Sequence, residues 1–156
     1  METLIHHRVQ LARQGSNPTV ICRVLSGWIV LGDVQFLRGY SLLMPDPVVT
    51  NFNALSGNRR NQFLQDMAML GDALLEVTGA NRINYEILGN SEPALHAHVF
   101  PRYETEAEEQ RQKPVWFYDR RNAPEFNLER DQPLMSEIAE TIKRYRSNLT
   151  ASSTTI

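Results

Sequence analysis

The sequence of 156 residues has little of several features that mark specialised classes of protein. Its one cysteine, Cys22, excludes an internal disulfide. It has no uninterrupted apolar run near the ~18 residues that span a bilayer, and its N-terminus lacks the basic and apolar segments of a secretion signal. Lysine and arginine total 16 against 18 acidic residues, a net charge of −2, which offers nothing for non-specific binding to nucleic acid or anionic membrane. We therefore expect a cytoplasmic protein with no nucleic-acid or membrane partner.

The composition that is present is typical of a globular domain. Apolar residues make up 42% of the chain and charged residues 22%, and a chain of this length can bury a core without disulfides or metals. We expect a single domain over residues 1–146. Residues 147–156 are mostly serine, threonine and asparagine without a periodic apolar face, which predicts a disordered tail.

Hydrophobic spacing predicts three helices. The longest follows Ser56 and ends at Gly79. Its buried stripe recurs every three or four residues: Phe63, Met67, Leu70, Leu74 and Val77. A shorter helix is predicted from Leu4 to about Arg13, and a final helix is predicted to begin at Asp131 as its N-cap.

Five β-rich segments complete the predicted elements, at residues 20–24, 28–31, 40–44, 83–88 and 95–100. These strands are grouped around one long helix and do not alternate with several helices. That order favours an α+β fold with a mainly antiparallel five-stranded sheet, the long helix packed on it, and helices near both ends of the chain.

The last predicted strand contains two histidines in an alternating pattern. Side chains in a strand alternate between faces, so His96 and His98 share one face. Leu95, Ala97 and Val99 share the other, which can pack on the long helix. Both imidazoles are then presented on the side opposite that helix.

Three interpretations of this pair follow from the residues alone. The histidines are two surface side chains on a half-exposed strand, a zinc ligand pair, or a nucleophile and helper acting on phosphorus. Zinc is disfavoured because no cysteine is near and because Glu104 and Glu106 lie beyond Pro101. The other histidines, His6 and His7, are remote in the sequence.

The flanking residues resemble a known pattern. Residues 83–102 read INYEILGNSEPALHAHVFPR, and they resemble the signature of the histidine triad (HIT) superfamily of nucleotide hydrolases and transferases. That signature has a strand, a small-residue loop with glycine and often serine, then His-φ-His-φ-His-φ-φ, frequently followed by Pro-Arg. Residues 39–45 are similar to the family's Gly-His-x-Leu-Val-Ile-Pro strand. The resemblance covers about residues 20–102 and implies a HIT-like fold.

The resemblance implies roles for both histidines. His96 matches the central histidine, the family's nucleophile, which attacks the α-phosphorus of a nucleotide to form a nucleotidyl-histidine. His98 matches the third histidine, which stabilises charge as it develops on a phosphate oxygen. The implied activity is hydrolysis, transfer or phosphorolysis of a nucleotide or dinucleoside polyphosphate.

The resemblance also implies substrate ligands. Ser91 matches the loop hydroxyl that binds phosphate, and Gly89 lets the backbone approach the phosphates. Asp33 lies near the family's ribose-binding position, and Asn84 is one residue out of register with a phosphate-binding position. Arg102 is expected to pair either with a phosphate or with a surface carboxylate.

Two positions depart from the family pattern. Ala94 stands at the first histidine of the triad, and Tyr40 replaces the histidine of Gly-His. The first histidine is not the nucleophile, so we expect an enzyme. A nucleotide-binding module of the same fold without turnover is the alternative. The family also implies a homodimer, with no metal site and no cofactor except a divalent cation accompanying the substrate.

Aromatic residues cluster in the C-terminal half of the chain. Trp116, Phe117 and Tyr118 follow a polar stretch at residues 104–113. These side chains and Trp28 are either core residues or a wall for a nucleotide base. The cluster is also placed to fold back over a cleft or a partner subunit.

Overall fold

The computed structural model describes residues 2–152. It has the predicted helices and strands in the predicted order, together with one short α-helix that was not predicted. The helices are α1 (Leu4–Arg13), α2 (Gly57–Thr78), the short α3 (Glu108–Arg111) and α4 (Leu128–Ser152). The strands are β1 (Val20–Arg23), β2 (Gly27–Leu31), β3 (Ser41–Pro45), β4 (Arg82–Glu86) and β5 (Ala97–Arg102). Among these residues, no helix combines the length and apolarity needed to cross a membrane.

The five strands form one antiparallel sheet in the order β1-β2-β3-β5-β4. This confirms the α+β fold with an antiparallel sheet. Strand β5 pairs with β3 on one side and with β4 on the other, which places Leu42 and Glu86 opposite His98. The histidine segment therefore leads into the interior of the sheet, where backbone pairing holds its register.

Helices α2 and α4 cover one face of the sheet. The predicted stripe of α2 contributes Phe63, Leu70 and Leu74, all fully buried, and Ala97 and Val99 of β5 pack in the same core cluster. The opposite face is covered by α1 and by the segment after α3. Its core cluster includes residues from both as well as from the sheet: Ile5, Val9, Ala94, Phe100 and Val115.

The structure differs from the predicted boundaries at the histidine segment and at the final helix. Strand β5 begins at Ala97, so His96 immediately precedes it. The final helix begins at Leu128, and Asp131 is not its N-cap. Asn127 Oδ1 instead accepts the N–H of Arg130 at 2.9 Å, while Asp131 accepts the N–H of Asn127 at 2.9 Å. Such reciprocal bonds satisfy free N–H groups at a helix start.

The predicted C-terminal tail is helical as far as Ser152. Helix α4 packs on α2 and β1, and Tyr145 lies against the core cluster that these elements form. Tertiary packing therefore supports a helix that continues past the last periodic apolar residue. Residues 153–156 lie outside the described residues.

Candidate functional site

The His96 ring is held by a hydrogen bond to the backbone carbonyl of Ala94. The side chain is 7% exposed, and its Nδ1 lies 2.8 Å from the carbonyl oxygen of Ala94. A carbonyl oxygen can only accept, so Nδ1 carries a proton. The nitrogen with a lone pair to offer a substrate is then Nε2, which is the atom a nucleophilic histidine needs.

His98 is bound through the same ring atom, but to a different partner. The side chain is 8% exposed, and its Nδ1 lies 2.6 Å from the hydroxyl oxygen of Tyr40. Within residues 2–152 this is the one hydrogen bond of the Tyr40 hydroxyl. A phenol is a better donor than acceptor and a neutral imidazole nitrogen is a strong acceptor, so we assign the hydroxyl as the donor to Nδ1. A neutral His98 ring then carries its proton on Nε2, which can donate to a substrate oxygen.

Burial and nearby charges keep both His98 and Tyr40 neutral. Burial lowers the pKa of His98 to about 4, and the charges of His96 and Arg120 act in the same direction. Burial raises the pKa of Tyr40, and Asp33 raises it further. His98 is therefore an uncharged hydrogen-bond donor at neutral pH, and Tyr40 keeps the proton that orients it.

The two imidazoles lie side by side with different free atoms. Their ring centroids are 4.7 Å apart with the planes at 74°, and neither is the half-exposed surface side chain of the first interpretation. The hydrogen-bond partners leave a lone pair on His96 and an N–H on His98. This arrangement can attack an electrophile with one ring and bind its developing negative charge with the next.

A glycine makes room for Tyr40. A Cβ at Gly32 would lie 2.3 Å from the Tyr40 ring, closer than any side chain tolerates. The ring also stacks on Phe100, with centroids 4.2 Å apart. Close backbone approach at the end of β2 therefore fixes the tyrosine against β5, with its hydroxyl beside His98.

The loop before His96 is tied to the first helix. Gly89 has a φ of +96°, a conformation that favours glycine, and Ser91 is exposed. The carboxylate of Glu92 accepts the N–H groups of Leu4 at 3.3 Å and Ile5 at 3.5 Å, at the positive end of α1. The loop that the resemblance implicates in phosphate binding is thus anchored to α1, a few residues before His96.

The aromatic cluster is divided between the site and other places. Trp116 contacts His98, with ring centroids 5.2 Å apart, and Phe100 at 5.6 Å. Its indole N–H donates to Glu86, the residue opposite His98 on β4. Trp28 instead donates to Asp46 at 2.9 Å. The wall interpretation therefore fits Trp116 and not Trp28.

Arg102 takes the second of its two expected partners, a carboxylate, and contacts Asn84. Arg102 is 6% exposed, and its guanidinium forms an internal ion pair with Glu106 at 3.0 Å. It also donates to Asn84 Oδ1 at 2.6 Å. Three backbone carbonyls accept its remaining N–H groups, those of Gln110, Arg111 and Lys113. No donor of Arg102 is left for a phosphate, and the oxygen of Asn84 is occupied.

Asp33 lies at the rim of the site. Its side chain is half exposed and forms an ion pair with Arg8 of α1. Its charge reaches the Tyr40 hydroxyl and raises the pKa of that group. The structure therefore places Asp33 beside Tyr40, at the end of β2.

Two observations bear on other locations for a site. Within residues 2–152, no three side chains of the metal-binding types lie close enough together to hold an ion. A cavity lies against α2 and α4, where Met69 and Arg146 are among its lining residues. That cavity is on the opposite face of the sheet from His98.

Sequence reasoning missed three of the residues around His98. Tyr40 was recognised as a departure, but its bond to His98 depends on the pairing of β3 with β5. Glu86 is revealed only by the register of β4. Arg120 follows a long connection without periodicity, so no signal in the sequence places it near the histidines.

The chain matches no protein-family model and no curated protein. It is similar to solved structures of histidine triad proteins. One from Sinorhizobium meliloti is 23% identical, with a TM-score of 0.67 over 85% of this chain and 93% of that one. One from Marinobacter aquaeolei is 17% identical, with a TM-score of 0.72 over 92% and 98%. A hypothetical histidine triad nucleotide-binding protein from Sulfolobus tokodaii is 15% identical, with a TM-score of 0.69 over 88% and 92%. The chain therefore has the fold of the histidine triad proteins.

Proposed function

We propose that this chain is a histidine triad protein that hydrolyses or transfers nucleotidyl groups through a covalent intermediate on His96. The observation that carries the proposal is the pair of hydrogen bonds at the two Nδ1 atoms. The Ala94 carbonyl leaves a lone pair on His96, and the Tyr40 hydroxyl leaves an N–H on His98. The similarity in fold to the hypothetical nucleotide-binding protein from Sulfolobus tokodaii supports nucleotides as the substrate class.

In the first step, His96 Nε2 attacks the α-phosphorus of the bound nucleotide. The N–P bond forms as the bond from phosphorus to the leaving group breaks. The leaving atom, an oxygen in a polyphosphate or the nitrogen in a phosphoramidate, takes the electron pair and a proton from solvent water. The imidazole becomes positively charged. Its Nδ1–H still donates to the Ala94 carbonyl, and the dipole of that carbonyl stabilises the charge. His98 donates its Nε2–H to a non-bridging oxygen as negative charge grows there.

In the second step, water or another acceptor attacks the same phosphorus. The N–P bond breaks, its electron pair returns to Nε2, and the attacking oxygen passes its proton to solvent water. The product is a nucleoside monophosphate when the acceptor is water. Burial of the histidines limits access of other nucleophiles to the intermediate.

Three residues that the resemblance assigns to substrate binding remain part of the proposal. Gly89 and Ser91 lie in the loop that leads to His96 and are assigned to the phosphate. Asp33 is assigned to the ribose, with Arg8 holding its carboxylate in place. The homodimer implied by the resemblance is also proposed, and sedimentation of the purified chain tests it.

A product assay tests the proposed function. Purified protein is incubated with adenylyl and guanylyl substrates, both dinucleoside polyphosphates and nucleoside phosphoramidates, and release of nucleoside monophosphate is followed. We expect release from at least one substrate. Nucleotide binding without any release would instead favour the non-catalytic binding module, for which the alanine at position 94 is the supporting observation.

Removing the Tyr40 hydroxyl should impair His98 without unfolding the site. We expect Tyr40→Phe to lower kcat about fivefold with little change in KM, because one oriented hydrogen bond contributes about 1 kcal/mol. Nitrogen NMR of the His98 ring should show the Nε2-protonated form in the wild type and a mixture in the variant. The control is Tyr103→Phe, which removes a hydroxyl that donates to the Arg38 carbonyl. Unchanged kcat and an unchanged ring spectrum would contradict this role for Tyr40.

Restoring a histidine at position 94 should destabilise the protein. Ala94 is 1% exposed within the apolar cluster that includes Ile5 and Val9 of α1. An imidazole there would overpack this cluster, so we expect Ala94→His to lower the free energy of unfolding by about 1–3 kcal/mol in denaturant titrations. Ala107→His, at an exposed position, is the matched control. Equal stability of the two variants would show that α1 leaves room for the ring.

A further inference from the structure

The arginines near His98 differ in whether they have a carboxylate partner. Arg120 acts on the pKa values of both His98 and Tyr40, and Arg8 acts on that of Tyr40. Arg8 is neutralised by its ion pair with Asp33. Among the ion pairs found within residues 2–152, none involves Arg120. One guanidinium near the histidines is therefore without a carboxylate partner.

Arg120 is held by aromatic rings. Its guanidinium carbon lies 5.4 Å from the centroid of a Trp116 ring and 5.3 Å from that of Phe36. Trp116 itself contacts His98, so Arg120 is separated from the histidine by one indole. Contact with ring faces attracts a cation but uses none of its N–H donors. The side chain is thus restrained while its donors stay available for a planar, bidentate anion.

The position of Arg120 suits it to bind the phosphates beyond the α-phosphate. In the proposed reaction, the α-phosphate lies at His96 and His98, and both rings serve the reacting phosphorus and its oxygens. The charge on further phosphates needs a separate cation, and Arg102 has no free donor to supply it. Arg120 is exposed and lies beside the aromatic wall that borders the histidines.

We infer that Arg120 binds the phosphates beyond the α-phosphate, so that the preferred substrates are nucleoside polyphosphates with an anionic leaving group. This inference rests on the proposed function for the placement of the α-phosphate. It adds a residue that selects among substrates sharing the same covalent intermediate. Phosphoramidates, whose leaving group carries no phosphate, would gain nothing from Arg120.

Equilibrium binding tests the inference without requiring turnover. The full-length protein carries His96→Ala so that nucleotide is not consumed, and calorimetry measures Kd for adenosine and guanosine mono- and triphosphates without divalent cations. We expect the triphosphate of the better base to bind at least tenfold tighter than its monophosphate. Arg120→Ala should weaken triphosphate binding about tenfold and change monophosphate binding less than twofold, and Arg120→Lys should retain part of the preference.

The neighbouring arginine is the matched control. Arg121 is paired with Asp119 at 3.1 Å, and its side chain is 88% exposed, so Arg121→Ala should leave both affinities unchanged. Equal losses for mono- and triphosphate in Arg120→Ala, no loss, or no binding of either nucleotide would each overturn the inference. A selective loss in a protein that never releases product would support it while refuting the proposed catalysis. Product release by a protein that shows no preference for triphosphate would support the proposed catalysis while refuting the inference about Arg120.

Discussion

Replacing His96 by alanine should lower kcat by at least ~10³ while nucleotide binding is retained. The imidazole forms a bond only along the reaction path, so its removal raises the barrier more than it weakens the ground-state complex. Steady-state and single-turnover kinetics on the substrate found in the product assay would measure the loss, with calorimetry for binding. The control is His7→Ala, which removes an exposed histidine on α1.

Circular dichroism and thermal unfolding should show that the His96→Ala protein is folded. A folded variant that kept a tenth of the wild-type activity would rule out His96 as the nucleophile. If the His96→Ala protein is unfolded, a second variant, His96→Asn, makes the test. Its side chain stays polar beside the Ala94 carbonyl but has no nucleophilic nitrogen. We expect it to be as inactive as the alanine variant.

Replacing His98 should have a smaller but still large effect. We expect His98→Ala to lower kcat about 10² to 10³, the usual scale for removing one donor that stabilises developing charge. His98→Gln keeps an N–H donor and should recover part of this loss. The donor role should persist to acid pH, because burial lowers the pKa of His98 to about 4. Kinetics between pH 5 and 8 would therefore show the same ratio of wild-type to variant rates.

The outcome for the two variants also distinguishes the histidines from each other. Both side chains are buried, and each binds one neighbour through Nδ1. An inactive His98→Ala protein beside an active His96→Ala protein would mean that His98 is the nucleophile. The roles proposed for His96 and His98 would then be wrong.

Local patterns were enough to predict the elements of the fold. Helix periodicity located α2 and its buried stripe, since Phe63, Leu70 and Leu74 meet the core at helical spacing. Alternation placed Ala97 and Val99 towards the helices. Boundaries were less accurate, because Asn127 and Asp131 both resemble helix caps and only the three-dimensional bonds distinguish them.

The candidate site was only partly accessible from the sequence. Position in the motif singled out His96 and His98. Which of its two expected partners Arg102 takes could not be predicted, because Glu106 and the carbonyls that it contacts lie in a connection whose path no local pattern predicts. Tyr40 and His98 are 58 residues apart, and their contact depends on sheet register. Arg120 reaches the site through its packing on Trp116. Such long-range contacts follow from the packing of the whole chain, which single-sequence patterns do not encode.

Mass spectrometry of a trapped intermediate tests the central claim most directly. Wild-type protein is mixed with substrate, quenched at alkaline pH to preserve the N–P bond, digested, and searched for a nucleotidyl group. We expect the adduct on His96, formed and consumed at rates consistent with turnover, and absent from the His96→Ala protein. Product release without any adduct on His96, or an adduct on His98, would contradict the account.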